Sequence, residues 1–119
     1  MTEYSVEITD AAFVAIRDHA RHVAIELAAP ENAKRWLQRV RDAIDSLQRW
    51  PRRAPKAPED AFVPYEVRQL VLENHLLLFT IDDEQRKVWI LGLRHGARLP
   101  RPQDLPPVPP SADTEADDE

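Results

Sequence analysis

The chain has 119 residues, 43% of them hydrophobic, enough to bury the core of one domain. It has no cysteine, which excludes a disulfide framework, thiolate chemistry and Cys-built zinc sites. Its net charge of −5 arises in one place: residues 1–98 carry 15 basic and 15 acidic side chains, whereas residues 99–119 carry one arginine and six acids.

A neutral folded part lacks the distributed positive field of a protein that lives on nucleic-acid phosphates, so sequence-specific DNA binding by this chain alone is not expected. No window approaches the ~18 apolar residues of a membrane span. The N-terminal MTEYSVEIT lacks the basic flank and apolar centre of a signal peptide, so a cytoplasmic protein is expected.

In chain order, Tyr4, Val6 and Ile8 alternate with Ser5 and Glu7, which predicts a short strand with one solvated face. Thr9 or Asp10 then caps a helix over residues 11–28. Its apolar stripe is Phe13, Ile16, Ala20, Val23 and Leu27. Pro30 ends that helix and opens the next, where Glu31 meets the positive end of the dipole. The second helix covers residues 30–49, with Ala33, Leu37, Val40, Ile44 and Leu47 as its stripe and Trp36 and Ala43 on the flank. Two amphipathic helices joined this closely form an antiparallel hairpin whose apolar faces need a sheet to cover.

Pro51, Pro55, Pro58 and Pro64 forbid regular helix or inner strand over residues 50–64. The basic cluster Arg52, Arg53 and Lys56 there is expected in a solvated loop. Three strands follow, at residues 66–72, 75–81 and 88–94. Glu73-Asn74 links the first two as a tight turn, with Asn74 suited to left-handed backbone. A charged turn at residues 82–86 links the last two, giving an antiparallel meander. The expected fold class is α+β, in the order β-α-α-β-β-β, with the helix hairpin on one face of a mainly antiparallel four-stranded sheet.

The last strand carries the functional signal. Val88, Ile90 and Gly92 alternate with Trp89, Leu91 and Leu93, and both sets are apolar, as in a strand buried on both faces. The run stops at Arg94, His95 and Arg98, a group suited to an anion, a phosphate or an acidic protein partner. Arg68 shares a face with Leu70 and Leu72, where a charge is costly unless it is paired or opens on a cleft. Gly96 suits a sharp turn with positive φ, and Gly92 leaves room for a neighbour such as Trp36 or Trp50.

With only these two glycines, a phosphate-cradling loop is excluded. His19, His22 and Glu26 share one helix side without a further ligand, so no metal site is expected there. His75, at the start of a hairpin strand, is expected to be half exposed. Six prolines and the acid-rich end make residues 99–119 a separate tail, disordered or extended. Its acids offer a second role, folding back onto Arg94 and Arg98.

Taken together, the Tyr4-Ser5-Val6 opening, Thr9 and Ala12, Ala33 and Leu47 with Pro51, Val67-Arg68-Gln69-Leu70, the Leu77 to Ile81 strand and the HGAR ending resemble the RelE/ParE superfamily of toxins from type II toxin–antitoxin modules. The likeness spans residues 4–98, and the tail lies outside it. The superfamily implies two activities on one fold. A ParE-like protein inhibits DNA gyrase by protein contact and is neutralised by a cognate antitoxin. A RelE-like protein is a ribosome-dependent mRNA endoribonuclease; Arg68 would then clamp phosphate, Arg94 add a second cation and His95 act as acid or base. The aromatic residue expected after the last strand in that branch is missing, and the neutral core favours the ParE-like reading. A non-toxic binding module is a third class. The resemblance calls for no cofactor. It implies an antitoxin whose apolar and acidic side chains neutralise Arg68, Arg94, His95 and Arg98, with gyrase or the ribosome as target.

Overall fold

The computed structural model describes residues 3–110. Strand β1 (Ser5–Ile8) leads into helix α1 (Asp10–Arg21), which continues as one π-helical turn (His22–Glu26). Helix α2 (Pro30–Ser46) returns beside it. Short 3-10 turns at Pro51–Arg53 and Pro58–Phe62 precede β2 (Arg68–Leu72), β3 (His75–Asp82) and β4 (Lys87–His95).

The sheet order is β1-β4-β3-β2, with β1 parallel to β4 and the other pairs antiparallel. The helix hairpin covers one face, so the α+β architecture and the inner position of β4 are as the sequence implies. No helix among the described residues is long and apolar enough to cross a membrane.

Thr9 accounts for the start of α1 and for its attachment. Its Oγ1 accepts from the Ala12 N–H at 3.2 Å and donates to the Ile90 carbonyl at 2.8 Å. One side chain thus caps the helix and ties it to β4. Of the expected α1 stripe Ile16 and Ala20 are buried, joined by Ala12, whereas Phe13 and Leu27 are exposed. Small alanines let the helix sit close to β4, and a bulky Phe at the contact would hold it off. Trp36, expected on the flank of α2, is in the core.

The α-helical part of α1 ends seven residues before the expected Ala28. A π turn takes one residue more than an α turn, so side chains past Arg21 leave the register of the helix. Leu27 N–H reaches His22 O at 3.1 Å, five residues back, and Ala28 closes the turn at φ 51.

The core has two layers. Between helices and sheet lie Ala12, Ile16, Trp36, Val40, Leu47, Leu77, Phe79, Val88 and Ile90. On the opposite face Ala57, Val67, Leu78, Leu91 and Leu105 form a second cluster with Val63, Tyr65 and Trp89 against it. That face is covered by the Pro-rich connector and by the C-terminal strap, residues 99–110. The strap is irregular, with a 3-10 turn at Pro102–Asp104 and bends at Leu105, Pro107 and Val108. Leu105 anchors it, and the Tyr65 hydroxyl donates to Pro106 O at 2.7 Å. The remainder of the tail, including its acidic run, lies outside the described residues.

The connector arginines are engaged. Arg52 grips Asp83 through two bonds of 3.0 and 2.8 Å, and Arg53 donates to Ser46 O at 3.1 Å and Arg49 O at 3.3 Å at the end of α2. In the β2–β3 turn the positive φ falls on Glu73, not Asn74.

Candidate functional site

The site follows from a length mismatch and a bulge. β1 has four residues and β4 nine, so β1 pairs only with Lys87 to Ile90. Past Ile90, β4 has β3 on one side, and on the other no strand among the described residues pairs with it.

The bulge lies between Leu78 and Phe79 of β3, where the register jumps: Phe79 faces Ile90, but Leu78 faces Gly92. The extra residue in β4 is Leu91. It reverses the alternation. Val88 and Ile90 face the helices and Leu91 faces away, yet Leu93 faces the helices again. Arg94 therefore points to the far face and His95 to the helix face. Strict alternation of the kind read from the sequence would exchange these two and set His75 opposite Arg94. In the structure His75 lies opposite His95.

Gly92 marks this irregularity. A Cβ there would meet nothing within 4 Å, so neither Trp36 nor Trp50 uses the space, and Trp50 is itself exposed. Gly96 also has a different reason from the expected one, since its φ is not positive. Its N–H donates to Asn74 O at 2.8 Å, and a Cβ would stand 3.2 Å from that oxygen. Close backbone approach, not left-handed conformation, requires glycine there.

Around the open edge of β4 lies a cleft of about 740 Å³. One wall is α1 and the turn after it, with Ala11, Ala15, His19, His22 and Leu27. Arg98 and the strap supply the other wall, the strap through Leu99, Arg101, Asp104 and Leu105.

All four histidines of the chain line this cleft. His75 is the centre: its ring lies 4.4 Å from that of His19 and 5.1 Å from that of His95, both edge-on. Trp36 backs the pair, 4.5 Å from His19. Burial, then the neighbouring His19 and His95, push the His75 pKa down to about 4. Burial also lowers that of His19. Both rings are therefore uncharged at neutral pH. His75, expected half exposed, is buried, and its Nδ1 has no hydrogen-bond partner. His22 stands 3.6 Å from Glu26, and no three His, Asp or Glu among the described residues are placed to hold a metal.

Arg94 is built into the floor. Its Nε donates to Glu59 Oε2 at 2.7 Å and its NH1 to Arg98 O at 3.2 Å. The Glu59 side chain is 1% exposed and that of Arg94 11%. Arg98 and His95 are exposed at the mouth, and His95 Nδ1 accepts from the Ala97 N–H at 3.0 Å. The structure thus brings Arg94, His95 and Arg98 to one cleft and leaves Arg68 out of it. Arg68 lies opposite Phe79, where its guanidinium donates to Ala54 O at 2.5 Å, Arg52 O at 3.3 Å and Glu66 Oε2 at 3.1 Å. Sequence reasoning missed Glu59, His19 and His75 as members of the cleft. Gly92 inside a strand was the available signal, because such a glycine often marks a bulge.

This geometry sits on the fold of a toxin. Residues 6–100 match the family described as the ParE toxin of the type II toxin–antitoxin system parDE, and the chain belongs to that family. Among solved structures, it is similar to a chain of the chromosomal ParDE toxin–antitoxin system from P. aeruginosa, at 23% identity and a TM-score of 0.63, covering 78% of this chain and 96% of that one. It is also similar to a chain of the toxin–antitoxin complex RelBE2 from Mycobacterium tuberculosis, at 24% identity and a TM-score of 0.54, covering 82% and 97%. At these identities the two structures speak for the fold alone. No curated protein matches the chain significantly.

Proposed function

We propose that this ParE-family chain is a cytoplasmic toxin that inhibits DNA gyrase by protein contact and is neutralised by an antitoxin seated in the cleft beside β4. The observation that carries the choice of gyrase over mRNA is the state of the two central arginines. Cleavage of a phosphodiester needs cations free to meet developing charge. Arg94 is bound to the buried Glu59, and Arg68 to Glu66 and two backbone carbonyls. His19 and His75 are held uncharged by burial. A protein partner needs none of these groups free; it needs an open strand edge and a shaped cleft, and both are present. The names of the two similar structures, each a toxin–antitoxin assembly, support an antitoxin as a partner.

The test uses purified chain in two assays side by side. Supercoiling by gyrase should be blocked while ribosome-bound mRNA stays intact. Cleaved mRNA with unaffected supercoiling would move the chain to the endoribonuclease reading. Harmless expression at high level would leave only a non-toxic binding module.

A further inference from the structure

We propose that the strap segment at residues 99–105 is the wall of the cleft that selects the antitoxin, which lies along β4 as an extended segment of alternating apolar and acidic side chains. This rests on the toxin reading above and adds to it a specificity element, most of which lies beyond the family match at residues 6–100.

The strap is fastened on both sides of the cleft-facing stretch. Arg94 holds the Arg98 carbonyl at 3.2 Å, and buried Leu105 with the Tyr65–Pro106 hydrogen bond holds the far end. Between these anchors Leu99 is 83% exposed. An apolar side chain fixed in place but left in water is surface for a partner to cover. Leu27, also exposed, lines the same cleft from the α1 side.

The occupant's chemistry follows from the lining. Arg94 and Arg101 are paired with Glu59 and Asp104, and Arg98 is the cation left over in the lining, so acids are favoured over bases. The edge of β4 beyond the end of β1, from Gly92 to Arg94, offers backbone groups to an added strand, the Leu91 and His95 carbonyls being taken by Thr9 Oγ1 and the Arg98 N–H. Side chains of such a strand alternate between the two faces of the sheet. One set meets the histidines, and the other meets Arg94 and the strap. Backbone pairing carries no sequence information, so the walls must discriminate among partners. On the strap wall the exposed discriminating groups are Leu99 and the Arg101–Asp104 pair, closed at 2.9 Å.

The experiment measures binding of the full chain to two probes: the purified small protein encoded beside this chain's gene, and the antitoxin of the similar P. aeruginosa system. The variant is Leu99→Ser with Arg101→Glu, both at exposed positions, with thermal unfolding checked in parallel. Affinity for the neighbouring-gene protein should fall at least about tenfold, while that for the second antitoxin changes less than about twofold. Affinity for the first probe within about twofold of wild type overturns the strap proposal. If that happens while the wild-type chain arrests growth and binds its neighbour, only the strap proposal fails. If the wild type neither arrests growth nor binds, both readings fail.

Discussion

Arg94→Ala isolates the central question of whether this arginine serves the fold or a ligand. Its partner Glu59 is 1% exposed, Arg94 itself 11%, and Nε and Oε2 are 2.7 Å apart. Exposed ion pairs contribute about 0–1 kcal/mol, whereas stripping one member from a buried pair costs about 3–5 kcal/mol because the other charge is left uncompensated. Glu59 would be left worse off than most, since its Oε1 already has no partner. The substitution also removes the bond to the Arg98 carbonyl. We expect a loss near 3–5 kcal/mol, which for a domain of this size lowers the melting temperature by roughly 12–20 °C. Replacing both partners with apolar side chains, Glu59→Leu with Arg94→Met, should recover all but about 1 kcal/mol. The assay is urea unfolding of Arg94→Ala, and of Glu59→Leu, Arg94→Met and their double, the last three closed as a cycle with the wild type. A single-variant cost below about 1 kcal/mol would refute the reasoning. Arg94 would then be free to meet an anion, and the endoribonuclease reading would regain its second cation.

Two further outcomes follow from the cleft. Because His75 titrates near pH 4 in the folded chain and near its ordinary 6.5 when unfolded, the unfolded chain takes the proton first. Stability should therefore be full above pH 6.5 and fall progressively to about pH 4, by at most about 3 kcal/mol. His19 shifts the same way, and the nearby Glu73 opposes both. Urea midpoints from pH 7.5 down to 4.5 check this, and His75→Leu should flatten the profile; an unchanged slope would mean that His75 is not the group responsible. The two glycines should respond differently. Gly92→Ala meets open space and should be tolerated, whereas Gly96→Ala presses on the Asn74 carbonyl and should cost about 1 kcal/mol in the same assay.

The contrast between those glycines also shows what the sequence could carry. Element order, the helix hairpin, the tight turns and the inner strand were legible because each is written in local periodicity or turn chemistry. The face on which Arg94 and His95 emerge was not, because one extra residue in β4 reverses every side chain after it. The partner of Arg94 was invisible for a different reason. Glu59 stands 35 residues away in a proline-rich connector with no periodic signal. The α1 stripe held at Ile16 and Ala20 and failed at its ends, where Ala12 is buried and Phe13 and Leu27 are exposed. Leu105 was hidden by its surroundings, one leucine in a segment whose composition argues against a core.

The parallel pairing of the first strand with the last has a consequence for synthesis. Thr9 and Ile90, joined by a hydrogen bond, are 81 residues apart in sequence. Translation proceeds at about 5–20 residues per second, so β1 waits roughly 4–16 s for the strand it pairs with, and the helices, later in the chain, wait less. During that interval the nascent chain exposes an unpaired N-terminal strand and the apolar side of a helix pair. Pairings so distant in sequence also form slowly once available. A ribosome making this chain therefore carries an unfinished, adhesive intermediate until β4 emerges, and the finished cleft exists only after the strap that follows the last strand has also arrived.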